Sequence, residues 1–325
     1  MERNTTIDFI KGIGVFLVVL GHTSSTLRDD IYIFHMPLFF ILSGIFFKAN
    51  APLKTIINHK FQKLIIPYFS FSVLIFIFYA LWSGLFKLNF EYISFINILD
   101  FNGRLISTPL WFLISLFMVY LIFFFLNGKT SQLRTLFLFF ILNTIVVYFS
   151  SKIEINPFHV FTSLSCLIFF TLGFKYKELL IMLINSKISS SIFLGLSIII
   201  FYFSRNLIDG IDYEGVDFLG NYFAIFIGAL SGSTLIISLG IVIKNIWIVI
   251  DKIFVFLGSK SLFIFSFHLP IFEIVRPFTK SLDTSPNSQG ILISISSILL
   301  CIPTIYIIEQ YFPFLIGNFK KNSPN

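Results

Sequence analysis

The sequence predicts an all-α integral membrane protein, one bundle of about ten transmembrane helices with both termini in the cytoplasm. Three observations predict it. Apolar residues make up 56% of the 325-residue chain and charged residues only 12%, against roughly 25% charged in an ordinary soluble domain. The apolar residues gather in stretches close to the length that crosses a bilayer core. The charges lie mostly between those stretches, and the cations favour one side.

The stretches run approximately 7–26, 32–48, 64–86, 109–127, 134–150, 159–174, 188–204, 218–243, 259–279 and 290–312. Short connections join most of them, so residues 1–325 read as a single membrane domain with no internal repeat. With the N-terminus inside, Lys48, Lys54, Lys60, Lys63, Lys175, Lys177, Lys320 and Lys321 are cytoplasmic, as the positive-inside rule requires. The opposite loops collect the carboxylates Asp29, Asp30, Glu91, Asp100, Asp209, Asp212, Glu214 and Asp217. The net charge of +7 is thus spread between spans. That distribution argues against a nucleic-acid partner and for the lipid bilayer. The first stretch has neither a basic leader nor a small-residue cleavage site, so no cleavable signal peptide is expected. Cys166 and Cys301 lie within apolar stretches and read as packed thiols with no disulfide or metal role.

The first stretch, IDFIKGIGVFLVVLGHT over 7–23, carries Asp8, Lys11 and His22. Ionisable groups at membrane depth cost a few kcal/mol each and normally face a bundle interior or wet cavity. On a helix, Lys11 and His22 differ by only about 20° in azimuth and about 16 Å along the axis, with Asp8 about 60° from Lys11. All three are therefore expected to face one cavity. A neutral imidazole there can take a proton from a hydroxyl and return it to a leaving group. The plainer reading, a histidine that hydrogen-bonds between helices, is outweighed by its charged neighbours on the same face.

His35 opens the second span, where a short connection brings it to the depth of His22. It is either a second acid–base group or an interfacial histidine bonded to the loop. Lys60 and Lys63, three residues apart, share a helical face before span three. They suit phosphate binding, and equally well lipid headgroups or topology. Gly12, Gly14, Gly21 and Gly44 permit close helix approach. Trp111, at the start of span four, is either an interfacial belt residue or a pocket wall. Span nine holds His268, Glu273 and Arg276. The last two are expected to pair at i,i+3, and Pro270 is expected to break the helix after His268. Glu309 is a further carboxylate at membrane depth, while His59 and His159 receive no role. The loops 87–108 and 206–217 combine aromatic, amide and acidic residues. Either can form a lip for a sugar, but solvated turns are the preferred reading. No zinc-protease, phosphate-loop or nucleophile-elbow motif occurs.

These residues carry a resemblance. Lys11 and His22, within IDFIKGIGVFLVVLGH, resemble the signature of the acyltransferase 3 family of multi-span bacterial carbohydrate O-acyltransferases, in which a basic residue and a histidine stand ten residues apart. FHMPLFFILSG over 34–44 is similar to the family's second span. Lys60 and Lys63 stand where it has a basic pair, and Leu110-Trp111-Phe112-Leu113 resembles its WFL stretch. Leu257-Gly258, Ser261-Leu262 and His268-Leu269-Pro270 resemble its late pattern. One departure is lysine where arginine is usual, which gives a point charge without the bidentate fork.

The resemblance implies transfer of an acyl group, usually acetyl, from acyl-CoA to a sugar hydroxyl of a surface or lipid-linked glycan, in the bacterial inner membrane. Acyl-CoA is then a donor substrate, with no tightly bound cofactor and no metal. On this reading Asp8, Lys11, His22 and His35 are catalytic. Lys11, Lys60 and Lys63 hold the donor, and Trp111, His268 and Glu273 lie on the acceptor side. The competing expectations are a polysaccharide or lipid-linked sugar exporter without acyl chemistry, and a helical scaffold in a glycan-assembly complex.

Overall fold

The first helix, α1 (Thr5–Gly21), begins where Asn4 caps it, its side-chain oxygen accepting from the backbone N–H groups of Thr6 (3.0 Å) and Ile7 (3.2 Å). Such a cap satisfies donors that the first helical turn leaves unpaired. The computed structural model describes residues 4–23, 25–86, 108–126, 132–150, 156–279 and 284–319. The chain turns into α2 (Arg28–Ile45), then a short α3 (Leu53–Lys60), a π-helical turn (Phe61–Ile65) and α4 (Ile66–Phe86). After α5 (Trp111–Leu126), α6 (Gln132–Ser150) and α7 (Val160–Lys175) come α8 (Lys177–Asn185) and α9 (Lys187–Arg205). A β-hairpin follows, β1 (Ile208–Asp212) and β2 (Asp217–Gly220). The chain closes with α10 (Tyr222–Ile243), α11 (Ile248–Ser259), α12 (Ser261–Thr279), α13 (Pro286–Tyr311) and a 3₁₀ turn (Pro313–Ile316).

A helix occupies each of the ten apolar stretches, but among the described residues six helical segments are long and apolar enough to cross a membrane on length and composition. They are Leu53–Leu85, Pro157–Lys175, Lys187–Arg205, Tyr222–Ile243, Ser261–Thr279 and Pro286–Tyr311. The others fall short for physical reasons. α5 has 16 residues and α1 has 17, about 24–26 Å of helix against a hydrocarbon core of about 30 Å. α2 carries Arg28, Asp29 and Asp30 in its first turn.

Helices α1 and α2 form the centre, and glycines set how closely their neighbours approach. A Cβ on Gly12 would lie 2.0 Å from the Phe254 carbonyl oxygen, and one on Gly258 would lie 1.7 Å from that of Asp8. Helices α1 and α11 therefore touch backbone to backbone. The same holds for α2 and α7, where Gly44 meets the Phe170 carbonyl and Gly173 meets that of Ile41. Gly14 and Gly21 face only side chains of α2.

Four expectations change. The stretch 244–258, expected as a cytoplasmic connection, contains α11. Residues 218–220, placed in the eighth span, belong to β2, and α10 starts at Tyr222 after the Asn221 cap. Residues 206–217 are not solvated turns. They form most of a hairpin pinned by the Tyr213 hydroxyl, which donates to the Ile33 carbonyl (2.9 Å), and by Thr162, which donates to the Glu214 carbonyl (2.9 Å). Pro270 does not break α12, which runs through it, as neighbouring helices permit in a packed bundle. Cys166 and Cys301 are free, buried thiols.

Candidate active site

Where α1 ends and α2 begins, a cavity of about 540 Å3 opens, within the size range of ligand sites. His22, Arg28, Tyr32, His35 and Trp111 line it, and the hairpin closes one side with Asp209, Asp212, Tyr213 and Glu214. Arg205, at the end of α9, steadies this rim by pairing with Asp30 and donating to the Ile208 carbonyl (3.1 Å).

Three imidazoles meet beside the cavity: His22 and His35 line it, and His268 packs against His22 without lining it. The ring centroids of His22 and His268 are 4.9 Å apart, and those of His22 and His35 are 6.4 Å apart. Tyr32 lies 4.9 Å from His35 and 5.6 Å from His22. Each histidine is bonded in the same way. Nδ1 of His22 donates to the Val18 carbonyl (2.8 Å), that of His35 to Ile31 (2.9 Å), and that of His268 to Phe265 (2.9 Å) and Ile264 (3.1 Å). A carbonyl oxygen only accepts, so Nδ1 carries the hydrogen. In the neutral ring Nε2 is then the basic atom. The helix backbone thus fixes all three tautomers. No hydrogen bond to the fully buried Nε2 of His268 forms among the described residues. Leaving a buried acceptor unmade costs about 1–3 kcal/mol.

The cations of the predicted site lie elsewhere. Lys11 sits over the Phe46 ring at 5.2 Å and Lys60 over the Tyr120 ring at 3.8 Å. Tyr120 in turn donates to the Ser43 carbonyl (3.3 Å) near the end of α2. Lys11 and Lys60 are within electrostatic reach of one another. This lysine end is the end of α1 opposite His22. Neither Asp8 nor Lys11 lines the histidine cavity, so the expected single cavity for Asp8, Lys11 and His22 is corrected to two separate ends. The reason is packing: between them α1 is covered by α2, α10 and α11, and Asp8 lies buried where its backbone meets Gly258.

Lys63 also departs from expectation. It does not share a face with Lys60, because the intervening turn is π-helical and rotates Lys63 away. It donates instead to the Gly317 carbonyl (3.3 Å) and to the Asn318 side chain. Glu273 and Arg276 pair at 3.6 Å, as their spacing implies, and Glu273 does not line the cavity. Glu309 accepts from Lys260 at 2.6 Å. Tyr32 and Arg28 escaped the sequence reading, although Tyr32 stands one helical turn before His35 and Arg28 stacks on its ring at 5.2 Å. Among the described residues no cluster of three or more histidine, cysteine or carboxylate side chains is arranged to hold a metal ion.

A bundle of apolar helices around three imidazoles, each fixed through Nδ1, defines a multi-pass membrane protein. The chain belongs to the acyltransferase 3 family, whose model, described as an acyltransferase domain, matches residues 4–306. It is accordingly a membrane acyltransferase. No match was found among curated proteins or solved structures.

Proposed function

We propose that the protein transfers an acyl group, acetyl in the first instance, from acyl-CoA to a sugar hydroxyl of a surface or lipid-linked glycan. In this reading it is a ten-span protein of the bacterial inner membrane with both termini in the cytoplasm. The observation that carries the reading is the division of α1 into two ends. Lys11 and Lys60 stand together at one end, and the Nδ1-protonated His22 borders a ligand-sized cavity at the other.

Donor phosphates sit against Lys11 and Lys60 on the cytoplasmic side. Lys63, tied to the C-terminal segment, serves the donor only indirectly. A pantetheine arm is long enough for the rise of about 16 Å from Lys11 to His22, and its thioester reaches His22 only when the helices that cover α1 between them part. The acceptor enters the cavity between the hairpin, Tyr32 and Trp111. Aromatic faces and carboxylates suit a polyhydroxylated ring. Nε2 of His22 takes the hydroxyl proton as the oxygen bonds to the thioester carbonyl carbon. The carbon–sulfur bond breaks, and the thiolate leaves as thiol with that proton. His35 lies on the acceptor side of His22, and the family match favours this chemistry over export alone.

Mass spectrometry of the host's surface glycan, with and without the protein, tests the reading. The expected result is the loss of one acetyl group per repeat unit when the protein is absent. Unchanged acylation with a block in glycan export would support the exporter instead.

A further inference from the structure

We propose that His268 is a positioning residue for His22, a second buried imidazole whose unpaired Nε2 steadies the positive charge that His22 acquires when it takes the proton from the acceptor hydroxyl. The proposal rests on the acyl-transfer reading above. It starts from what His22 lacks. A histidine base is commonly oriented by a carboxylate that also stabilises its protonated form. Here Nδ1 of His22 is bonded to the Val18 carbonyl, and no carboxylate hydrogen-bonds to its ring among the described residues. Asp8, the acidic residue of its own helix, lies at the other end of α1.

His268 supplies what is missing. It is fully buried, its Nδ1 is occupied by two carbonyls of α12, and its Nε2 has no hydrogen-bond partner among the described residues. Its ring stands 4.9 Å from that of His22, inclined at 69°. At that spacing the two rings are in contact, so the unshared electron pair of His268 lies near the charge that forms on His22. Unmade buried polar groups in a folded protein call for an explanation, and a catalytic role is one of the few available.

The other groups facing this pair are few. Helix α2 contributes Arg28, Tyr32 and His35. Helix α12 contributes Arg276, which is paired with Glu273. Neither cation can accept a proton, and His35 is farther from His22 than His268 is. During transfer, with the unpaired nitrogen of His268 beside the His22 ring, the proton passes from the acceptor hydroxyl to Nε2 of His22. It returns to the departing thiolate as the carbon–sulfur bond breaks. His268 forms no bond to either substrate.

The test compares His268→Leu and His268→Gln in the purified full-length protein, with acetyl-CoA and the host glycan as substrates. His268→Leu is expected to lower kcat about 10- to 100-fold while both KM values stay within about twofold. Its Tm should be unchanged or raised, because the substitution removes an unpaired buried nitrogen. The amide oxygen of His268→Gln can likewise place its negative end beside the protonated ring and is expected to restore most of kcat. Equal kcat in wild type and His268→Leu overturns the proposal and leaves the acyl-transfer reading intact. So does a low kcat in both variants accompanied by a lower Tm, which marks a structural role. Absence of transfer by the wild-type protein overturns the reading itself, and the proposal with it.

Discussion

At its beginning α1 sets Lys11 over the ring of Phe46 and presses Gly12 onto the backbone of α11; at its end, His22 borders an open cavity. The two regions treat polar groups in opposite ways. At the lysine end the cations rest on aromatic faces and glycine contacts exclude other atoms. At the histidine end the backbone fixes each ring through Nδ1, and the Nε2 of His268 goes without a hydrogen-bond partner among the described residues. One end is built to hold charge in place, the other to keep basic nitrogens available. A long, thin donor with phosphates at one extremity and a reactive carbonyl at the other matches that division.

The largest effect expected from breaking the comparison falls on the histidine end. His22→Ala should lower the transfer rate of the purified protein by about 10²- to 10⁴-fold, the usual worth of a general base. Its Tm should match wild type, which separates lost chemistry from lost fold. Next comes the packing beside the lysine end. Gly258→Ala places a Cβ against the Asp8 carbonyl, so α1 and α11 must move apart. A destabilisation of about 1–3 kcal/mol is expected from such overpacking, read as a lower Tm in detergent. An unchanged Tm would mean that the two helices do not meet backbone to backbone.

Two smaller effects sharpen the assignment of the cations. Lys60→Met should raise the KM for acyl-CoA about tenfold with kcat nearly constant, the pattern of lost ground-state binding. Lys63→Met should change that KM less than about twofold, since its bonds run to the C-terminal segment and such exposed contacts contribute little. A reversed order, with Lys63 dominant, would contradict the separation that the π-helical turn creates between them.

Much of the histidine end was legible in the sequence, because the cost of burying an ionisable group marks it wherever it falls in an apolar run. His22, His35 and Trp111 stand out on that ground or on family resemblance, and all three line the cavity. The meeting of His268 with His22 was not legible, since it depends on how α12 packs against α1 and not on spacing within either. The hairpin was missed because its acidic, glycine-bearing sequence has the composition of a loop. Tertiary bonds, from Tyr213 to Ile33, from Thr162 to Glu214 and from Arg205 to Ile208, hold it over the site. Helix α11 was missed because its 12 residues are too short to register as a span. The rotation of Lys63 away from Lys60 arises from one irregular turn, which an assumption of uniform 3.6-residue geometry hides. The loop 87–107, the other expected lip, lies outside the described residues.

The central claim is that Nε2 of His22 is the base that activates the acceptor. It is tested most directly by following an isotopically labelled acetyl group from acetyl-CoA to the host glycan, by mass spectrometry, with purified wild-type protein and His22→Ala side by side. The account predicts labelled glycan with the wild type and only background with the variant. Labelling at equal rates by both would contradict it.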